Sequence, residues 1–295
     1  MGLKSEKILG ISVTTNSREE ILEYLKKYLN SDRKTHPSSR ISHHDALVIV
    51  TPNPEQVVLA QEDTHFAQLL NEADVALPDG IGLVGAMRFL DQLSAISYQL
   101  SALKRIPGVE FMEELVALAA KRGYPIGLIG GRVGVAVEAL ECLQRKYPSL
   151  NGWGQELGEI QIESTNLQIY KSTNENRMMQ QAGEVITSQY FSEFARRIQD
   201  SGTRIVFVGL GAPKQEYFIA RLARECQMSN VKCQMVLMSV GGSFDLIAGR
   251  TRRAPFFVRS MGLEWLWRLA IQPWRFRRQL RLLQFLWLVC IHGRD

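Results

Sequence analysis

Short, almost wholly apolar runs recur along the chain. They are Ala46-Leu47-Val48-Ile49-Val50, Ala73-Asp74-Val75-Ala76-Leu77, Ile126-Gly127-Leu128-Ile129, Arg204-Ile205-Val206-Phe207-Val208 and the segment from Gln234 to Val240. Runs this short, without polar alternation, read as strands buried on both faces of a parallel sheet. Between them, apolar residues recur at three- and four-residue spacing. This predicts helices over 16–29, 54–71, from Gly80 to about Leu90, and over 109–122, 133–146, 182–200 and 213–226. Lys7 to Thr14 reads as one further strand. Strands alternating with helices of this length predict an α/β fold with a mostly parallel sheet covered on both faces.

Three stretches break the pattern. Asn30 to His44 is polar and reads as a loop, Gln92 to Ser101 as an insertion without chemistry of its own, and Asn151 to Gln181 as a flexible excursion. After Thr251 the sequence becomes helix-prone over Leu263–Ile271 and again from Trp274 to about Ile291. The chain thus divides into a 1–250 α/β core and a 251–295 appendage.

Four strands are followed at once by polar or glycine-rich elements. These are Thr51-Pro52-Asn53-Pro54-Glu55, Pro78-Asp79-Gly80, Gly130-Gly131, and Gly209-Leu210-Gly211-Ala212-Pro213-Lys214-Gln215-Glu216. The carboxyl ends of parallel strands share one edge, and ligands bind in the crevice there. Segments distant in sequence therefore outline one site.

Charge changes the picture at one end only. The net charge is +5, yet residues 251–295 carry nine arginines, no lysine and two acids, so the preceding 250 residues sum to −2. Four of the five tryptophans lie in the same tail. Its longest uncharged run, Leu282 to His292, is far short of the about 20 residues a bilayer crossing needs. Interleaved arginine and aromatic residues favour a helix lying at a membrane surface over a helical pair packed on the core with its arginines solvated. Four cysteines without a CxxC pair fit a reducing compartment. The five histidines form no metal-ligand spacing, and nothing at the N-terminus reads as a signal peptide.

Asp79 is the leading candidate for chemistry. A carboxylate at a strand end, between Pro78 and Gly80, can accept a proton from a substrate hydroxyl. Local sequence alone favours the other role, a cap on the following helix. Thr51 and Asn53 offer a hydroxyl and an amide to sugar or nucleotide hydroxyls, or serve the turn itself. Gly130, Gly131 and Gly211 allow backbone to approach a phosphate at a helix N-terminus, or make ordinary tight turns. Lys214, Gln215 and Glu216 put a cation, an amide and an acid at one helix start. No GxGxxG follows the first strand and no Walker lysine motif occurs, which argues against a nicotinamide-dependent oxidoreductase or a P-loop enzyme. No Asp-x-Asp pair stands at a strand end, so a metal bridging a diphosphate is not indicated. Arg105 and tail arginines are the cations available to a leaving diphosphate.

The motifs taken together resemble the WecG/TagA/CpsF glycosyltransferases (glycosyltransferase family 26). They are Thr-Pro-Asn-Pro-Glu, Leu-Pro-Asp-Gly-Ile-Gly, Arg105-Ile-Pro-Gly108, Gly-Leu-Gly-Ala-Pro-Lys-Gln-Glu, Val-Gly-Gly-Ser-Phe-Asp, Ala-Gly-Arg-Thr-Arg-Arg-Ala-Pro and Leu-Glu-Trp-Leu-Trp-Arg-Leu. The resemblance implies a Rossmann-like core with an appendage that completes the site at the membrane. It implies an inverting, metal-independent transferase with no cofactor, moving a sugar, typically N-acetylmannosamine, from a UDP donor to a polyprenyl-diphosphate-linked acceptor in envelope or exopolysaccharide synthesis. Asp79 matches the catalytic base. Gln215, Thr51 and Asn53 match residues of catalysis or binding, Arg105 a pocket arginine, and Arg253 and Arg268 would face the diphosphate. The implied location is the inner face of the cytoplasmic membrane, with no nucleic-acid partner; self-association is left open. The stretches 91–101 and 155–188 are longer than the family's usual length, and Glu110 stands where an aspartate is common. The rival reading is a non-catalytic, membrane-associated nucleotide-sugar-binding module, which needs no base.

Overall fold

The computed structural model describes residues 2–31, 46–93, 100, 103–157, 159–163, 166–170, 187–229, 231, 234–261, 263–271, 273 and 276–292; the side chains of 159–189 and of several tail residues are also outside the description. The polar stretch 32–45 and most of the 94–102 and 171–186 segments therefore fall outside it.

The chain opens with an antiparallel hairpin, β1 (Ser5–Ile8) and β2 (Ile11–Thr14), where the sequence predicts a single strand. The reversal falls on Leu9 and Gly10, both at positive φ (48° and 76°). Leu9 is a poor turn residue by composition, which hides the turn in an apolar run. The hairpin abuts the sheet through Thr14, whose Oγ1 accepts a 2.9 Å bond from the Ala76 amide. Helix α1 (Arg18–Asn30) begins at a capping box in which Ser17 and Glu20 satisfy each other's backbone amides.

Next come β3 (Ala46–Val50), α2 (Pro54–Glu62), α3 (Thr64–Glu72), β4 (Val75–Ala76), α4 (Ile81–Leu93), α5 (Gly108–Arg122), β5 (Ile126–Gly130), α6 (Val135–Lys146) and β6 (Gly152–Gln155). The helix expected over 54–71 is two helices. Asp63 ends the first, its backbone extended (φ −124°, ψ 95°), and caps the second by accepting from the Phe66 amide. Part of the expected excursion after Asn151 is a sheet strand: β6 runs parallel to β5, with Ile126 opposite Gly152. Glycine at 152 and 154 conceals it from a composition-based reading. A Cβ at Gly152 would stand 2.7 Å from the Ile126 carbonyl oxygen, so the close approach requires glycine there.

A second hairpin, β7 (Glu159–Glu163) and β8 (Asn166–Tyr170), leads to α7 (Thr187–Ser201), β9 (Ile205–Gly209), α8 (Lys214–Met228), β10 (Met235–Ser239) and α9 (Ser243–Ile247). The appendage supplies α10 (Phe256–Ser260), α11 (Glu264–Ile271) and α12 (Phe276–His292).

The main sheet has six parallel strands in the order β4-β3-β10-β9-β5-β6. The chain builds one edge outward from β3 to β4 and crosses to the far end for β5 and β6. It then returns to fill the middle with β9 and β10. This is a Rossmann-like α/β architecture. β9 and β10 are buried at every position, and their side chains alternate between two apolar layers. Val206, Val208 and Leu237 pack with α2, α3, α7, α8 and α12. Ile205, Phe207 and Met238 pack with α1, α5, α6 and α9. Phe285 and Val289 of α12 belong to the first layer, so the tail contributes to the same core as the sheet. Among the described residues, no helix is long and apolar enough to cross a membrane.

Candidate active site

The loops that leave β3 and β4 are sewn together by backbone. The Asp79 amide donates to the Pro52 carbonyl (3.1 Å), and the Ile106 amide donates to the Pro78 carbonyl (3.0 Å). Thr51, Asp79 and Arg105 thus come from three loops on one hydrogen-bonded seam. Asn53 caps α2: its Oδ1 accepts from the Gln56 amide at 3.1 Å while Gln56 Oε1 accepts from the Asn53 amide at 3.2 Å. Thr51 is buried against the start of α5, its Cγ2 only 3.0 Å from where a Cβ on Gly108 would stand. That packing accounts for the glycine of the Arg-Ile-Pro-Gly element.

The first bond of α4 runs from the Val84 amide to the Gly80 carbonyl, so the capping position falls on Gly80 rather than Asp79. The Asp79 carboxylate faces Arg105 instead. Its Oδ1 accepts from Arg105 Nε at 3.3 Å and from Nη2 at 3.2 Å. The same Nη2 donates to Glu264 Oε2 at 3.1 Å. One guanidinium therefore joins a carboxylate of the core to a carboxylate of the appendage. Asp79 and Arg105 side chains keep 29% and 25% of their surface exposed, enough to meet a ligand. Burial works to lower the Arg105 pKa, yet the facing Asp79 and Glu264 carboxylates outweigh it and hold the pKa above its usual value.

The second half of the edge is built from glycines. The Gly131 amide donates to the Gly209 carbonyl at 2.8 Å. A Cβ on Gly130 would meet Leu210 at 2.5 Å, and one on Gly209 would meet Phe244 at 2.7 Å. Here the glycines make room for the Leu210 and Phe244 side chains. Gly211 differs: its φ is +76° and nothing lies within 4 Å of a Cβ built there, so its surroundings are open. Lys214 begins α8 beside it, half-buried.

Gln215 is 2% exposed, and both ends of its amide are used inside the protein. Its Oε1 accepts from the Gly241 amide at 2.9 Å and its Nε2 donates to Glu216 Oε1 at 2.8 Å. Gln56 of α2 donates to the same Glu216 oxygen at 3.4 Å. This buried chain ties the Asn53 side of the edge to the Gly241 side. Burial pushes the Glu216 carboxyl up to about 7, and its Oε2 has no hydrogen-bond partner among the described residues.

Arg253 lies on Glu110. Its Nη2 donates to Glu110 Oε1 at 2.7 Å, Arg259 Nη1 to the same oxygen at 3.4 Å, and Arg18 Nη2 to Oε2 at 3.2 Å. Three guanidiniums converge on one carboxylate at the start of α5 and fix the head of the appendage to the core. Arg268 belongs to α11, but its side chain lies outside the described residues. Sequence reasoning missed Glu264 as part of this constellation. Its signal was present: an acid opening the Leu-Glu-Trp element in a tail otherwise rich in arginine. Glu110 was noticed for its identity and not for its role as the anchor.

A six-stranded parallel sheet whose carboxyl-edge loops gather carboxylate, amide and guanidinium groups is a Rossmann-like α/β architecture with a candidate ligand site at that edge. Residues 6–295 match the glycosyl transferase WecG/TagA/CpsF family. The chain belongs to that family, and it is a glycosyltransferase of the type that serves cell-envelope polymer synthesis.

Proposed function

We propose that this protein is an inverting, metal-independent glycosyltransferase with Asp79 as general base. It takes a UDP-sugar, N-acetylmannosamine or a similar hexose, and a polyprenyl-diphosphate-linked sugar acceptor. Asp79 removes the proton from the acceptor hydroxyl, whose oxygen attacks the anomeric carbon as the bond to UDP breaks. The leaving diphosphate is met by Arg105, by Lys214 and the open backbone at Gly211, and by Arg253 and Arg268 of the appendage. Thr51 and Asn53 shape the wall beside the base. Gln215 serves by holding the Gly241 loop. The observation that carries the reading is the Asp79 carboxylate: it sits off the helix-capping position and against Arg105, in a chain of a glycosyltransferase family.

The appendage brings the site to the inner face of the cytoplasmic membrane. Leu280, Leu283, Leu286, Trp287 and Ile291 of α12 are exposed, and Ile81 and Phe89 of α4 are exposed on the core. Such apolar surface beside arginines favours an anionic lipid interface. The test incubates the protein with a panel of UDP-sugars, with and without a short-chain lipid-diphosphate acceptor. Acceptor-dependent release of UDP supports the transferase; donor binding without turnover would support the binding-module reading instead.

A further inference from the structure

We infer that Glu264 is a positioning residue of the transfer reaction: it holds Arg105 against Asp79, so the base and its cation are set in place by the docked appendage. The inference rests on the reading of Asp79 as the base. Glu264 opens α11, 159 residues beyond Arg105 in sequence, and is 9% exposed. A carboxylate removed from water needs a partner, and a carboxylate at a helix N-terminus is favoured by the helix dipole. Arg105 Nη2 donates to it at 3.1 Å and is the same nitrogen that reaches Asp79 Oδ1 at 3.2 Å.

The geometry explains why one carboxylate is not enough. Arg105 addresses Asp79 from one side only, with Nε and Nη2 on a single oxygen. Two long contacts to one atom leave the guanidinium free to pivot. Glu264 holds the same Nη2 through a second carboxylate and removes that freedom. A planar fork held by two carboxylates keeps one orientation better than a part-exposed fork held by one. Removing the Glu264 charge therefore misplaces Arg105 by a fraction of an ångström to an ångström. A displacement of that size costs up to about 100-fold in rate.

The test is a kinetic double-mutant cycle on the full chain, with UDP-N-acetylmannosamine and a short-chain polyprenyl-diphosphate-linked sugar as probes. Glu264→Gln keeps the shape and loses the charge. It should lower kcat by about 10- to 100-fold while KM for the donor changes less than threefold. Glu264→Asp should recover part of the loss. In the Arg105→Lys background, Glu264→Gln should have almost no further effect, since the group it positions is gone. Independent, multiplying losses at 264 and 105 would overturn the inference, as would a Glu264→Gln variant with wild-type kcat. A loss of activity that tracks a fall in melting temperature, equal in Gln and Asp variants, would also overturn it and leave a folding role. Failure of the underlying reading is distinct: it appears as unimpaired transfer by Asp79→Asn, whatever Glu264 does.

Discussion

Gln56 of α2 and Glu216 of α8 meet across the carboxyl edge of the sheet, Nε2 to Oε1 at 3.4 Å. The contact joins two helices that follow different strands and leaves a carboxyl in the interior. Burial raises the Glu216 pKa from 4.5 to about 7. In that interval the folded chain holds a proton that the unfolded chain releases. The stability this group contributes is therefore complete below about pH 4.5 and is lost as pH rises through about 7. Glu216→Gln preserves the acceptor for Gln56 and Gln215 without the ionisation. Thermal melts from pH 5 to pH 8 should show wild type losing ground steadily to this variant. Parallel curves would mean that Glu216 does not titrate in the folded state.

The appendage shares the core. Phe285 of α12 is fully buried, and Leu282 packs within 3.2 Å of where a Cβ on Gly82 would stand. Phe285→Ala should cost about 3–5 kcal/mol, seen as one cooperative unfolding transition at lower denaturant. A transition unchanged in midpoint would place α12 outside the cooperative unit.

Gly209→Ala tests the glycine junction. The added methyl would lie 2.7 Å from the buried Phe244 ring and 3.0 Å from the Gly241 carbonyl oxygen. Overpacking of this kind costs about 1–3 kcal/mol. Because the loop after β10 must give way, donor binding should weaken in the same variant. Calorimetric melting and titration with UDP check the two effects together.

Glu110→Gln removes the charge from the anchor shared by Arg18, Arg253 and Arg259. All four side chains are about a third exposed, so solvent screens them. The expected loss is about 1 kcal/mol or less at low salt, and it should shrink as salt is added. Faster protease cutting in the segment that leads into α10 should accompany it. A loss that salt does not diminish would point to packing rather than charge.

The parallel sheet was legible because its strands are short, apolar and free of alternation, and the 3.6-residue helices between them leave no other layer arrangement. What escaped notice has physical causes. The turn at Leu9-Gly10 lies inside an apolar run. The break between α2 and α3 rests on one extended residue, Asp63, whose capping bond is local and whose neighbours keep a helical pattern. β6 is half glycine, so its strand character comes from pairing with β5 rather than from its own side chains. The same division holds at the site. Asp79 and the glycine turns announce themselves by position after strands, and Arg105 by its Arg-Ile-Pro-Gly element. The link from Arg105 to Glu264 spans most of the chain, and pairing at that distance is a property of the fold alone.

The central claim is that Asp79 takes the acceptor proton, and Asp79→Asn is its most direct measurement. The amide keeps the size of the side chain and one oxygen for Arg105. Rates of sugar transfer should fall about 10²- to 10⁴-fold, while the UDP-sugar still binds and the melting temperature stays near that of wild type. Transfer at the wild-type rate by the folded variant would contradict the account.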